Sequence, residues 1–63
     1  MLNIDNEKTG MEMAHRIYYL HKENTEYCAG MIEMFVKEAQ NDATCYPADV
    51  YRIAAKKLTQ LIS

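Results

Sequence analysis

The 63-residue sequence contains few of the residues that a β-rich protein uses in its turns. Only two Gly and one Pro occur, and Trp is absent. Multi-stranded β folds need many tight turns, which Gly and Pro commonly supply. Because 49% of the residues are hydrophobic, enough for a core, the sequence predicts a single all-α domain.

The chain also lacks a large net charge and a long apolar run. A net charge of −2 argues against a protein dominated by nucleic-acid or membrane binding. No uncharged stretch approaches the roughly 20 residues of a membrane span, and residues 1–10 are polar where a signal peptide would be apolar. We therefore expect a cytoplasmic protein with no membrane partner, in which Cys28 and Cys45 are reduced thiols.

Motifs for catalysis and metal binding are missing as well. The sequence has no CxxC, no HExxH and no Gly-rich phosphate loop. His21 and Cys28 are two helical turns apart, roughly 10 Å along the axis, which is too far to chelate one ion. Cys45 has no neighbouring His in the sequence to act as its base. These observations predict a non-enzymatic protein with no cofactor and no metal site.

What the sequence does contain is apolar residues at helical spacing. Thr9 and Glu12 fit a capping box, which predicts an N-terminal tail over residues 1–9 and a first helix over residues 10–40. A heptad-like seam with one polar member follows this helix. Its members are Met13, Ile17, Leu20, Asn24, Tyr27, Met31 and Met34.

A loop over residues 41–46 and a last helix over residues 47–62 complete the chain. Pro47 suits the first helical position, and Asp49 suits the first turn. The apolar face predicted for this helix consists of Val50, Ile53, Ala54, Leu58, Leu61 and Ile62. Its predicted solvated side consists of Arg52, Lys56, Thr59 and Ser63.

Two architectures are compatible with these segments. Asn24 is an acceptable N-cap with Glu26 behind it, which favours a break near residues 21–25 and a three-helix bundle. However, no Gly or Pro occurs there, and the seam continues through the segment in phase. We therefore expect a helical hairpin with a long first helix, and the three-helix bundle is the alternative.

Residues 27–39 are apolar on two faces, because a second stripe containing Cys28 and Ala39 runs beside the seam. A helix that is apolar most of the way round must be covered on more than one side, so we expect a homo-oligomeric bundle. Gly30 in this helix suggests a close approach of another helix. The residues predicted to form the oligomer interface are Met31, Ile32, Phe35 and Val36.

The candidate binding site is an outward face of the first helix. His15, Tyr18, Tyr19 and Lys22 stand at i, i+3, i+4 and i+7, and Arg16 flanks them. Aromatic rings beside basic groups can stack on a flat ligand and pair with phosphate, or they can anchor a protein. The alternative is that the tyrosines pack inside an oligomer and the charges are merely solvated. We predict that these residues bind an unknown protein partner or a small anionic ligand such as a nucleotide.

Six residues resemble the opening of the plasmid RNA-binding Rop family, namely Glu7, Lys8, Thr9, Met13, Ala14 and Ile17. Members of that family are helical hairpins that dimerise into four-helix bundles, so the resemblance implies dimerisation and RNA binding. It covers residues 7–17 only. Glu12 and Arg16 stand where the family presents polar and aromatic residues to RNA, and the loop and last helix do not match.

Together these features favour a small stoichiometric regulator or inhibitor that binds a macromolecular partner. Short helical chains with surplus apolar surface are common among proteins of phages and other mobile elements. The second expectation is an oligomer that sequesters a small anionic ligand. Rop-like RNA binding is the third.

Overall fold

The computed structural model describes residues 5–41 and 45–63, which form the helices α1 (Asn6–His21), α2 (Thr25–Ala39) and α3 (Ala48–Ile62). The all-α fold is confirmed for these residues. They adopt the three-helix alternative, so the hairpin with an unbroken first helix was wrong. None of these helices has the length and apolarity needed to cross a membrane. The predictions for residues 1–4 and 42–44 lie outside the described part.

The break between α1 and α2 centres on Asn24. Its backbone, with φ −114° and ψ 84°, is not helical, and its side-chain oxygen accepts a hydrogen bond from the Tyr27 N–H at 3.0 Å. The Asn24 N–H donates to the His21 carbonyl at 2.9 Å, which satisfies an acceptor left free at the end of α1. Among the described residues none has a positive φ. The turn therefore needs no Gly. The absence of Gly from residues 21–25 was thus not an argument for an unbroken helix.

α1 begins one turn earlier than the capping box predicted. Asp5 is the N-cap, since its Oδ1 accepts a hydrogen bond from the Lys8 N–H at 3.1 Å. Thr9 lies inside the helix, and its N–H donates to the Asp5 carbonyl at 2.9 Å. Both Asp and Thr are favoured N-caps. The pattern alone pointed to Thr9 because Glu12 completed a capping box there.

α3 is the central element, because it packs against both α1 and α2, which touch each other far less. Its predicted apolar face is confirmed by three fully buried residues, Val50, Ala54 and Leu58, and by three partly buried ones, Ile53, Leu61 and Ile62. The other buried apolar side chains in the described part are Ala14, Cys28, Phe35, Tyr51 and Ala55. α3 starts at Ala48, one residue later than predicted.

α1 and α3 approach each other closely at Gly10. A Cβ at this position would lie 2.7 Å from the Val50 carbonyl oxygen and 2.8 Å from the Ile53 Cβ. Ala14, one turn further along α1, is fully buried. At Gly30, in contrast, an added Cβ would have nothing within 4 Å. Within the described chain, the close helix approach is therefore at Gly10, and no helix of the same chain lies against Gly30.

The chain reverses direction between α1 and α2. Gly10, near the start of α1, meets Val50 and Ile53 of α3. The ring of Phe35, near the end of α2, lies 6.3 Å from that of Tyr51. Gly10 and Phe35 thus both lie beside the first half of α3. The turn at residues 22–24 forms a corner that lies away from these contacts.

Candidate functional site

The corner between α1 and α2 carries two exposed apolar side chains. Tyr19 is 74% exposed and Leu20 is 69% exposed, more than any other large hydrophobic residue in the described part. Both line a shallow hollow whose other residues are His21, Lys22, Glu23 and Asn24. We refer to Tyr19, Leu20 and Lys22 as the corner surface. An exposed pair of large apolar residues beside a basic group is the kind of anchor found at protein interfaces.

Side chains and backbone hold the corner together from both helices. The rings of His21 and Tyr27 are in contact, with centroids 4.0 Å apart and planes tilted by 40°. The buried Cys28 thiol donates a hydrogen bond to the His21 carbonyl at 3.3 Å. The Asn24 N–H donates to the same carbonyl. The last turn of α1 is therefore tied to the first turn of α2, which presents the corner surface on a well-supported backbone.

The predicted binding residues do not form one site. His15 lines a hollow on the outer side of α1, and Arg16 lines a second one together with Tyr46. Tyr18 is half-buried and packs against the core. Of the predicted set, the structure brings together only Tyr19 and Lys22.

The surroundings of His15 are unfavourable for an anion. The hollow that His15 lines also contains Met11 and one lysine, Lys8. Its three acidic residues are Asp5, Glu7 and Glu12. Three carboxylates close to one basic side chain repel a phosphate group. The geometry therefore offers no support for a nucleotide at this part of the predicted site.

The predicted oligomer interface also divides into different environments. Phe35 is buried in the core of its own chain, and Met31 and Ile32 pack against that core. Val36 is 46% exposed. Phe35 is thus covered without a second chain, whereas Val36 is the most exposed of the four.

Sequence reasoning left Leu20 out of the candidate site. The seam placed Leu20 on a buried face, whereas the structure exposes it together with Tyr27 and Met34 of the same seam. Because Asn24 caps a new helix, α1 and α2 have different axes. Residues of the seam before and after Asn24 therefore do not lie on one continuous face. The signal that was available was Asn24 followed by Glu26, a helix-start pattern that outweighed the periodicity.

The structure adds little in favour of catalysis. In the described ranges, no group of three or more His, Cys, Asp or Glu side chains is placed to hold a metal ion. Cys28 is buried, and Cys45 is exposed in the segment before α3. Neither thiol has a described acid–base partner at hydrogen-bonding distance, since Cys28 bonds a backbone carbonyl.

Comparisons of the chain with protein-family models, with curated proteins and with solved structures found no match. The resemblance to the Rop family therefore rests on residues 7–17 alone. The fold that it implied also differs from the structure, because the described chain has three helices where a Rop subunit is a two-helix hairpin.

Proposed function

We propose that this chain is a small non-enzymatic binding protein. It is a stoichiometric regulator or inhibitor that acts by binding a partner protein through its corner surface. The exposure of Tyr19 and Leu20 is the observation that carries the proposal. Burying one such side chain contributes about 1.5–3 kcal/mol. A partner that covers both gains a compact apolar anchor, and Lys22 supplies a charged rim.

The support of the corner favours this function over a passive surface. Binding loses less entropy when the contacting groups are already held in place. The His21–Tyr27 ring contact and the two hydrogen bonds to the His21 carbonyl hold the corner before any partner arrives. The arrangement fits a protein partner better than a small anion, because the charge of Lys22 in the hollow is offset by the neighbouring Glu23.

Self-association is a second part of the proposal. Val36 leaves apolar surface on α2 that its own chain does not cover. Chains of this size bury a modest share of their surface and are marginal alone. Contact with a second copy through α2 would remove that surface from water.

The test of partner binding is comparative affinity capture from extracts of the native host. The immobilised wild-type chain is compared with the Tyr19→Ala, Leu20→Ala double variant and with Thr59→Ala, a change at an exposed position of α3 that does not line the corner hollow. We expect a protein retained by the wild type and by Thr59→Ala to be lost with the double variant. Native mass spectrometry should then give a one-to-one ratio of chain to partner.

Retention that is equal for all three proteins would place the partner site elsewhere. Loss with both variants would indicate damage to the fold. Circular dichroism of each variant separates that outcome from loss of the contact.

A further inference from the structure

One face of α2 combines acidic and apolar residues at helical spacing. Glu26, Ala29, Glu33 and Val36 lie at i, i+3, i+7 and i+10, so they share one side of the helix. All four are exposed. We call these residues the α2 stripe. Gly30 lies beside it with open space around it, so another chain can approach the backbone closely there.

A groove between α1 and α3 has the complementary character. The exposed Met11 and the half-buried Ile53 provide apolar lining. The other lining residues are Lys56, Lys57, Gln60 and Glu7. Glu7 belongs to α1, so the α3 side of the groove is the positive one. We call this the α1–α3 groove.

Charge is divided between these two regions of the chain. Residues 23–39 contain four Glu and one Lys, a net charge of −3, whereas α3 contains three basic residues and Asp49, a net charge of +2. Within residues 5–41 and 45–63 the ion pair present is Arg52–Asp49, at 3.1 Å. Lys56, Lys57 and the glutamates of the α2 stripe are not neutralised within the described chain.

From this complementarity we infer that the α2 stripe of one copy docks in the α1–α3 groove of a second copy. Ala29 and Val36 meet Met11 and Ile53, and the stripe glutamates meet the two lysines. The inference rests on the proposed self-association and names the surface that receives α2. The two contact surfaces are different, so the contact is head-to-tail and leads to a ring or an open chain.

The inference is tested by charge exchange, with mass measured by analytical ultracentrifugation. The wild-type mass should rise above the single-chain value of 7.3 kDa with concentration, and should fall back in about 0.5 M NaCl, where exposed charges are screened. Glu26→Lys with Glu33→Lys makes the stripe basic, and Lys56→Glu with Lys57→Glu makes the groove acidic. Each double variant alone repels its own copies and should stay at the single-chain mass.

Mixing the two double variants is the decisive step. Each variant then finds opposite charges on the other, so association should return at an equimolar ratio. Thr59→Glu, which adds an acidic group to α3 outside the groove, should associate like the wild type. Circular dichroism should show unchanged helicity, because Glu26, Glu33, Lys56 and Thr59 are exposed and the half-buried Lys57 lines the open groove.

Three results would overturn the inference in distinguishable ways. A wild-type chain that remains at 7.3 kDa would overturn the self-association as well as the docking surface. Association that survives both double variants would keep self-association but reject this groove. A monomeric wild type whose Lys56 and Lys57 amide signals shift with added RNA or inorganic polyphosphate would assign the groove to an anionic ligand. Partner capture through the corner surface is independent of all three.

Discussion

The two ends of α1 differ in the size and the burial of their residues: small residues are buried near its start, and large apolar residues are exposed in its last turn. Near its start, Gly10 and Ala14 bring the helix backbone against α3. In its last turn, the large apolar residues Tyr19 and Leu20 face solvent. Large apolar residues are normally the ones inside and are exposed together mainly where something binds. The comparison indicates that the first half of α1 packs closely in the fold, whereas its last turn leaves apolar surface uncovered.

The largest expected effect comes from adding one methyl group at the closely packed end. Gly10→Ala places a Cβ against the Val50 carbonyl oxygen and the Ile53 Cβ, neither of which is a flexible side-chain tip. Overpacking of this kind lowers the free energy of unfolding by about 1–3 kcal/mol. Urea unfolding followed by circular dichroism measures the change.

Gly30→Ala is the matched control, because the same methyl group there enters open space. Replacing a helical Gly by Ala should raise the free energy of unfolding by about 0.5–1 kcal/mol. If both substitutions stabilise the protein, α1 and α3 do not approach closely at Gly10.

A smaller effect is expected from two neighbouring tyrosines of α1. Tyr18 is half-buried and packs against the core, whereas Tyr19 is exposed. Tyr18→Ala should lower the free energy of unfolding by about 1–2 kcal/mol, and Tyr19→Ala should change it by less than about 0.5 kcal/mol. Thermal unfolding of the two variants gives the comparison. A larger loss at Tyr19 would mean that its ring belongs to a buried surface and not to a free corner.

The corner itself is weakened by removing its cap. Asn24→Ala loses the hydrogen bond from the Tyr27 N–H, which should cost about 1 kcal/mol of unfolding free energy. Asn24→Asp keeps a good N-cap and should restore most of the stability. Chemical denaturation of the three proteins tests this. An Asn24→Ala variant more stable than the wild type would show that the helix prefers to run through the turn.

Parts of this fold follow directly from sequence patterns. The apolar face of α3 was predicted because a single amphipathic helix determines its own buried side, and Val50, Ala54 and Leu58 are buried as expected. The low Gly and Pro content correctly indicated helices. The end of α2 near residue 40 also matched, because the polar residues after it cannot continue the apolar face.

Other parts depended on tertiary contacts that periodicity does not reveal. The seam treated Leu20 and Tyr27 as one face, although a single capping residue, Asn24, was enough to reverse the chain. In the sequence, Gly10 was only the first residue of the predicted first helix. Its close contact with α3 is a tertiary feature that the structure shows. The proposed site was therefore predicted only for Tyr19 and Lys22. Leu20, the other main member, was assigned to the seam and is exposed in the structure.

The reversal of the chain at residues 22–24 determines both the three-helix fold and the position of the corner surface. Positions 8 and 37 are exposed and can carry amino acids with a ketone in the side chain, so that spin labels attach there while both cysteines are kept. Pulsed electron paramagnetic resonance then measures the distance between the two labels. Each position is two residues from one of Gly10 and Phe35, which both contact the first half of α3. We therefore expect a separation well below the 38 Å long dimension of the molecule. A separation of about 44 Å, the length of a continuous helix between these positions, would contradict it.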